Sequence, residues 1–278
     1  MRNTAKIATA VLAAGALTLG LSACGSGSGS GKADANAPLT VAATPTPQGE
    51  ILAYVKDHLA QKAGLKLEVK EFTDYVTPNT AVQQGQVDAN YFQHKPYLDD
   101  FNKKNGTDIV PVPGATVHLE PLGVYSRSVK KLADLEKGAT VALPNDTTNE
   151  ARALKLLQAG GLIQLKAGAG YDATPQDVTS NPKNLRFKEL EAAQLPRSLG
   201  DVDAAVINGN YALEARLSPA KDALAAESAK GNPYANFLAV KKGNENDPRV
   251  RKLAELLTSP EVRKFIESKY DGAVVPAF

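Results

Sequence analysis

The sequence predicts an α/β protein built from two similar lobes, because one order of strand, loop and helix occurs twice along the chain. Residues 140–143 (Thr-Val-Ala-Leu), with the polar loop and apolar helical stripe that follow, match residues 40–43 at an offset of 100. A second match pairs residues 85–89 with 200–204, which both read Gly-x-Val-Asp-Ala. Two matches in the same order favour two related lobes over one continuous sheet. A cleft is then expected at the carboxyl ends of the strands, where open α/β sheets bind ligands.

Residues 1–23 are predicted to be a lipoprotein signal peptide. Arg2 and Lys6 give a basic start, and residues 7–21 are apolar but short for a membrane-spanning helix. The segment ends with Leu-Ser-Ala before Cys24, which resembles the bacterial lipobox, whose cysteine is lipidated after cleavage. The alternative is a cleaved signal followed by an incidental cysteine. Residues 24–38 would supply the lipidated cysteine and a flexible Gly/Ser tether, so we expect a cell-membrane anchor facing the extracytoplasmic side.

Charge and cysteine content exclude several classes of protein. Without Arg2 and Lys6, the chain has 30 basic and 30 acidic residues, which argues against nucleic-acid binding and a polybasic membrane surface. Cys24 is the single cysteine, so no internal disulfide can form. The three histidines lie far apart and no cysteine cluster exists, so the sequence predicts neither a metal site nor a cofactor.

The first half of the folded body is expected to alternate strands and helices. Apolar residues at helical spacing predict a helix from residue 48 or 49 to about 62, and period-two alternation predicts a strand at 65–71. The other expected elements are strands at 39–43 and 87–91, a short helix ending at 84, a helix at 97–104, and extended segments at 109–113 and 117–124. The last of these would carry the chain into the second lobe.

The second half repeats this pattern and then closes with helices. Thr147 and Glu150 match a capping box, so a helix should start near Thr148. The other expected elements are helices at 130–137, 195–198, 250–257 and 261–269 and strands at 140–143, 187–190, 204–207 and 235–240. The strand at 235–240 would return the chain to the first lobe. This organisation predicts lobe 1 at 39–122 plus 240–278 and lobe 2 at 123–239, with hinge strands near 117–124 and 236–240.

The start of the helix after Thr147 is a candidate anion site. A helix start carries unpaired backbone N–H groups and partial positive charge. Arg152, one turn in, can bind a carboxylate through two hydrogen bonds, and Asn149 on the same side can both donate and accept. The alternative is a solvated helix arginine beside an ordinary cap.

Aromatic residues follow two strands of the first lobe. Phe72 and Tyr75 come after the strand at 65–71, and Phe92 and His94 come at the end of the strand at 87–91. They are expected to form one wall of the cleft; each could instead pack in the core or at the rim. An arginine, several asparagines and an aromatic wall suit an amino acid. No Gly-x-Ser-x-Gly elbow occurs and the cysteine is assigned to the anchor, so the sequence favours a binding protein over an enzyme.

Several motifs resemble those of the methionine-binding lipoproteins of bacterial ABC importers. They are residues 72–79 (Phe-Thr-Asp-Tyr-Val-Thr-Pro-Asn), 88–97 (Asp-Ala-Asn-Tyr-Phe-Gln-His-Lys-Pro-Tyr), 144–149 (Pro-Asn-Asp-Thr-Thr-Asn), 194–199 (Gln-Leu-Pro-Arg-Ser-Leu) and 205–208 (Ala-Val-Ile-Asn). The likeness covers about residues 39–278. It implies a two-lobed periplasmic-binding-protein-like fold that closes on its ligand and delivers it to a membrane permease with an ATPase.

Matched motif by motif, the resemblance also implies two groups of ligand-binding residues. Around the ligand's side chain it places Tyr75, Phe92 and His94. At the polar end it places Arg152 on the carboxylate, together with the hydrogen-bonding residues Asn149, Asn208 and Asn236.

The implied function is capture of methionine for import, and three points stay open. Members of the family take L-methionine, D-methionine or a methionine dipeptide. The family often has Pro at the position of Thr147, which serves the turn rather than the ligand. The alternatives are a receptor of the same fold for another small anion such as an alkylsulfonate, and a lipoprotein hydrolase.

The lipid anchor at Cys24 can be tested by substitution. Cys24→Ser removes the thiol to which lipid would be attached, so the full-length protein should leave the washed membrane fraction of a bacterial host. Immunoblotting of the fractions measures this, with Ser28→Ala in the tether as the control that stays membrane-bound. If Cys24→Ser remains in membranes after a salt wash, the anchor lies elsewhere.

Overall fold

The computed structural model describes residues 37–278, so the predicted signal peptide and the lipidation site at Cys24 lie outside the described residues. Within 37–278, no helix is long and apolar enough to cross a membrane. The described part is a mixed α/β body whose strands and helices follow in chain order.

The strands are β1 (Leu39–Ala43), β2 (Leu67–Glu71), β3 (Ala89–His94), β4 (Ile109–Leu119), β5 (Gly123–Tyr125), β6 (Thr140–Pro144), β7 (Gln164–Leu165), β8 (Val178–Ser180), β9 (Arg186–Leu190), β10 (Ala204–Ile207), β11 (Ala225–Ala226), β12 (Asn236–Lys241) and β13 (Val275–Pro276). The α-helices are α1 (Glu50–Val55), α2 (Thr77–Gln83), α3 (Lys95–Asn105), α4 (Thr147–Ala159), α5 (Leu195–Ser198), α6 (Gly209–Glu214), α7 (Pro248–Leu257) and α8 (Pro260–Tyr270). Helix α1 is preceded by a kinked turn, Pro45–Gly49, in which Thr46 has extended backbone, and it continues into a π-helical turn, Lys56–Ala60.

The strands form two main sheets, as the two-lobe prediction requires. The larger has the order β13-β4-β12-β3-β1-β2, the smaller has the order β11-β5-β10-β6-β9, and β7 pairs with β8. Each main sheet contains a parallel triplet, β2-β1-β3 in one and β9-β6-β10 in the other. In each, the third strand of the triplet is joined to an antiparallel neighbour, β12 or β5. The two triplets therefore share one topology.

The repeated Gly-x-Val-Asp-Ala motif has the same structural role in both triplets. Asp88 Oδ2 accepts the backbone N–H of Thr40 at 2.7 Å, and Asp203 Oδ2 accepts that of Thr140 at 2.7 Å. In return, the aspartate N–H donates to the carbonyl of the same threonine, at 2.9 and 3.0 Å. A backbone donor at a strand end needs such a partner. In both triplets, the repeated motif therefore fixes the start of one strand against its parallel neighbour.

Each main sheet buries apolar side chains on both faces, because successive residues of a strand point to opposite sides. Val41 of β1 packs in the cluster that includes residues of α1, α7 and α8, whereas the adjacent Ala42 packs in the cluster that includes residues of α2 and α3. The smaller sheet likewise contributes to two clusters. Tyr75, in the loop before α2, contacts one cluster of each sheet.

The chain passes between the main sheets twice, between β4 and β5 and between β11 and β12. The two crossing segments are hydrogen-bonded to each other: Leu122 N–H donates to Glu227 Oε2 at 3.0 Å, and Glu227 N–H donates to the Leu122 carbonyl at 2.9 Å. Strand β12 pairs with β3 and β4 along its length, so residues 236–239 belong to the larger sheet. The lobe boundary predicted from the sequence lies within this strand, after residue 239, and 236–240 was predicted as a hinge strand.

Of the other helices expected from the sequence, one differs from the structure and two match it. The helix expected at 130–137 is reduced to a single 3₁₀ turn, Leu132–Asp134. The closing helices expected at 250–257 and 261–269 are present as α7 and α8, which have Asp247 and Ser259 as caps and proline at the first helical position. The division into a lobe at 39–122 plus 240–278 and a lobe at 123–239 remains a proposal.

Candidate ligand-binding site

Helix α4 is capped by Asp146. Its Oδ1 accepts the backbone N–H of Asn149 at 3.1 Å, which makes Asp146 the N-cap and Thr147 the first helical residue. The predicted capping box of Thr147 and Glu150 is therefore wrong by one residue, because a charged acceptor stands immediately before it and complements the helix dipole. Asp146 also accepts from Asn149 Nδ2 at 3.0 and 3.1 Å. The cap thus fixes the orientation of the Asn149 amide.

A cavity lies where β3 and β12 of the larger sheet meet α4 and α6, which follow strands of the smaller sheet. The structure brings seven of the residues singled out in the sequence to its wall: Tyr75, Phe92, His94, Asn149, Arg152, Asn208 and Asn236. Phe72, which was also expected on this wall, does not line the cavity and packs against the cluster that includes residues of α2 and α3. Five further lining residues were not predicted: Gln93, Tyr97, Glu120, Gly209 and Asn210.

Arg152 is buried, with 4% of its surface exposed, which rules out the solvated-arginine interpretation. Its Nε donates to Glu227 Oε1 at 2.8 Å, and its Nη2 donates to Glu227 Oε2 at 2.5 Å and to the Glu120 carbonyl at 2.9 Å. The guanidinium also lies over the Tyr234 ring, 4.3 Å from its centroid. Burial acts to lower the pKa of Arg152, but Glu227 raises it above its ordinary value, so the side chain is a permanent cation.

One edge of this guanidinium remains available. Arg152 Nη1 has no hydrogen-bond partner among residues 37–278, whereas Nε and Nη2 are fully used. Glu227 therefore fixes the guanidinium group through Nε and Nη2, and Nη1 can donate to another group. Glu227 lies in the second crossing segment, and nothing in its sequence surroundings pointed to this pairing across 75 residues.

A chain of hydrogen bonds fixes His94 and Asn208. His94 Nδ1 accepts the Tyr97 backbone N–H at 3.2 Å as the N-cap of α3, so Nε2 carries the proton and donates to Asn149 Oδ1 at 3.1 Å. Asn208 Nδ2 donates to the same Asn149 oxygen at 3.0 Å. Burial, helped by the positive charge of Arg152, lowers the pKa of His94 to about 3 and keeps the ring neutral.

Two amides keep buried atoms without partners. Asn208 Oδ1 and Asn210 Nδ2 are buried and have no hydrogen-bond partner within the described residues. Tyr75 OH donates to Asn210 Oδ1 at 2.5 Å, so the amide oxygen of Asn210 is used while its nitrogen is not. Asn236 Oδ1 accepts from Gln48 Nε2 at 3.1 Å. Buried polar atoms that lack partners are costly, so these atoms indicate where a ligand would complete the site.

The other end of the cavity is aromatic. The Tyr75 ring lies 6.1 Å from Phe92 and 5.9 Å from Tyr97 between centroids, and Phe92 lies 6.0 Å from Tyr97. One end therefore offers a cation and amides, and the other offers flat apolar faces. In the stretch 37–278, no three His, Cys, Asp or Glu side chains group as a metal site. The geometry suits binding of a small molecule that has a polar head and an apolar side chain.

Comparison with known proteins identifies the family. The family model described as NlpA lipoprotein matches residues 39–278. The chain belongs to the NlpA lipoprotein family. Among its relatives is the methionine-binding lipoprotein MetQ of Bacillus subtilis, 47% identical over 241 residues, which are 85% of this chain and 86% of that protein. The D-methionine-binding lipoprotein MetQ of Escherichia coli is 45% identical over 216 residues, or 77% of this chain and 79% of that protein.

A solved structure gives the same assignment of fold. A nutrient-binding protein from Burkholderia cenocepacia, bound to methionine, is 48% identical and superposes with a TM-score of 0.83. The match covers 86% of this chain and 100% of that one. The family resemblance stated from the sequence motifs and the two-lobed α/β fold are both confirmed.

In this NlpA lipoprotein, His94 should make stability depend on pH. The ring stays neutral when folded, but in the unfolded chain it takes up a proton near pH 6.5. Stability should therefore fall as the pH drops below 6.5, with about 2 kcal/mol lost between pH 7 and 5. His94→Asn keeps a capping side chain and should remove this part of the slope.

Urea unfolding of ligand-free protein at pH 7 and pH 5 measures the effect. The exposed His58 supplies the control, since His58→Gln should retain the wild-type slope. An equal slope in His94→Asn and wild type would show that His94 is protonated in the folded protein.

Proposed function

We propose that this chain is a lipid-anchored solute-binding protein that captures methionine outside the membrane and delivers it to an ABC importer. The observation that carries the proposal is the free Nη1 edge of the buried Arg152, opposite an aromatic wall in one cavity. The methionine-binding names of two relatives and the methionine-bound neighbour support the same ligand.

The polar half of the cavity fits the head group of an amino acid. Arg152 Nη1 would donate to the α-carboxylate, and Asn210 Nδ2 is a second donor without a partner in the described chain. Asn208 Oδ1 supplies an acceptor for the ammonium. Both sides of the Asn149 amide are used in hydrogen bonds with His94, Asn208 and Asp146, so its role is to orient other side chains.

The aromatic half fits an unbranched thioether side chain. Tyr75, Phe92 and His94 would surround the ligand's side chain, and sulfur contacts favour aromatic rings by about 0.3–1.5 kcal/mol. The pKa of Tyr75 is raised well above its ordinary value, mainly by burial, so its hydroxyl stays a proton donor to Asn210. The wall therefore adds no second charge to the cavity, which disfavours glutamate and arginine as ligands.

Hydrogen bonds across the cleft support closure around the ligand. Tyr75 OH donates to Asn210, His94 donates to Asn149, and Tyr211 OH donates to the Thr73 carbonyl at 2.9 Å. Each bond joins a residue associated with the larger sheet to one associated with the smaller sheet. Opening would break these bonds while the hydrogen-bonded crossing segments act as the hinge. The partner would be a permease with its ATPase, and Cys24 would hold the protein beside them.

A ligand panel tests this function on protein that has been unfolded and refolded free of ligand. Calorimetry and thermal shift should compare both methionine enantiomers, glycyl-methionine, norleucine, leucine, glutamate and taurine. A methionine-containing ligand should bind best, with norleucine weaker by no more than about 200-fold, because close analogues differ by about 1–3 kcal/mol. A hundredfold excess over Kd should stabilise the fold by about 2.7 kcal/mol. Binding of taurine without any methionine-containing ligand would instead favour a receptor for sulfonates.

A further inference from the structure

We propose that Glu120 binds the ligand's α-ammonium and thereby makes the receptor select amino acids over simple organic anions. The proposal rests on the function above, and it adds a residue that the motifs did not single out. Glu120 lies in the first crossing segment, directly after β4, and lines the cavity.

The Glu120 carboxylate is buried and only half satisfied. The residue is 6% exposed, and its Oε1 accepts from Gln48 Nε2 at 2.5 Å and lies 2.7 Å from His118 Nε2. Gln48 is itself oriented by Thr44, whose hydroxyl donates to Gln48 Oε1 at 2.6 Å. Oε2 has no hydrogen-bond partner in the described part of the chain. This oxygen is not fully enclosed by protein, so a donor in the cavity can reach it.

The negative charge of Glu120 is not cancelled by its neighbours. Tyr91 OH contacts His118 Nδ1, which is the one hydrogen bond that this hydroxyl makes within residues 37–278. When this hydroxyl donates to His118 Nδ1, the ring carries its proton on Nε2 and donates it to Glu120 Oε1. Arg152 is matched by Glu227 through two hydrogen bonds. The cavity therefore keeps one carboxylate without a counter-charge.

The position of Glu120 is fixed on both sides. Its carbonyl accepts from Arg152 Nη2 at 2.9 Å, so the proposed ammonium and carboxylate partners belong to one hydrogen-bonded unit. On the other side, Gly209 packs so closely that a Cβ there would lie 2.6 Å from Glu120 Cβ and 3.2 Å from Oε2. Both residues line the cavity. The absence of a side chain at residue 209 is therefore what lets the carboxylate reach the cavity wall.

This arrangement selects a zwitterion. An amino acid places its carboxylate on Arg152 Nη1 and its ammonium on Glu120 Oε2, whereas an anion without an amine leaves two like charges close together. A charged hydrogen bond contributes more than the neutral amide oxygen of Asn208 can supply. Glu120 thus supplies most of the discrimination for the amine.

The experiment compares two ligands on two proteins by calorimetry. The ligands are methionine and 4-(methylthio)butanoate, which differ by the amine alone, and the proteins are wild type and Glu120→Gln. Glutamine keeps the shape of the side chain and removes its charge. Methionine should bind Glu120→Gln roughly tenfold to hundredfold more weakly, while 4-(methylthio)butanoate should bind as well as before or more tightly. Glu267→Gln on the exposed side of α8 is the matched control and should change neither affinity.

Each other outcome overturns the proposal. An equal loss for both ligands means that Glu120 only maintains the cavity, and no loss means that the ammonium binds elsewhere. If Glu120→Gln does not fold, Glu120→Asp gives the same comparison. Aspartate keeps the charge on a shorter side chain that reaches less far into the cavity, so it should weaken the binding of methionine alone. Failure of wild type to bind methionine would refute the proposed function instead, before Glu120 is tested.

Discussion

The buried ion pair between Arg152 and Glu227 is the interaction on which the rest of the site depends. A guanidinium taken out of water is costly unless a carboxylate meets it with good geometry, and Glu227 does so with two hydrogen bonds. Glu227 also accepts from Leu122, so this ion pair ties α4 to both segments that cross between the sheets. A charged ligand that engages Arg152 therefore acts on the connection between the sheets as well as on the helix.

The remaining wall residues are held by one another before any ligand arrives. Asp146 orients Asn149, Asn149 orients His94 and Asn208, and Tyr75 orients Asn210. Asn208 and Asn210 each use one side of the amide and leave the opposite atom, Oδ1 and Nδ2 respectively, without a partner in the described chain. Such fixed groups lose little conformational freedom on binding, which is the physical basis of preorganisation. The neutral His94 serves this purpose because it donates from Nε2 throughout the ordinary pH range.

The sequence predicted what is local or repeated, and it missed what depends on distant pairing. The repeated motif that contains Asp88 and Asp203 was recognised in the sequence, although their hydrogen bonds to Thr40 and Thr140 are seen only in the structure. Seven lining residues were predicted from the family resemblance, whereas Gln93 and Tyr97 were missed although they lie in one of its motifs. The cap of α4 was misplaced because two good capping residues stand side by side. Glu227 and Glu120 could not be identified, since both lie in crossing segments without periodicity and their partners come from other elements.

The most direct measurement is the affinity of Arg152→Lys for methionine, by calorimetry on refolded, ligand-free protein. Lysine keeps a positive charge beside Glu227 but lacks the planar fork, so it cannot both hold Glu227 and present a free edge to the ligand. Affinity should fall by at least roughly tenfold to hundredfold, the equivalent of one charged hydrogen bond, while thermal unfolding shows a folded protein. Lys155→Ala, one turn along α4, should bind as wild type does. Wild-type affinity in a folded Arg152→Lys would show that the carboxylate is held by another group.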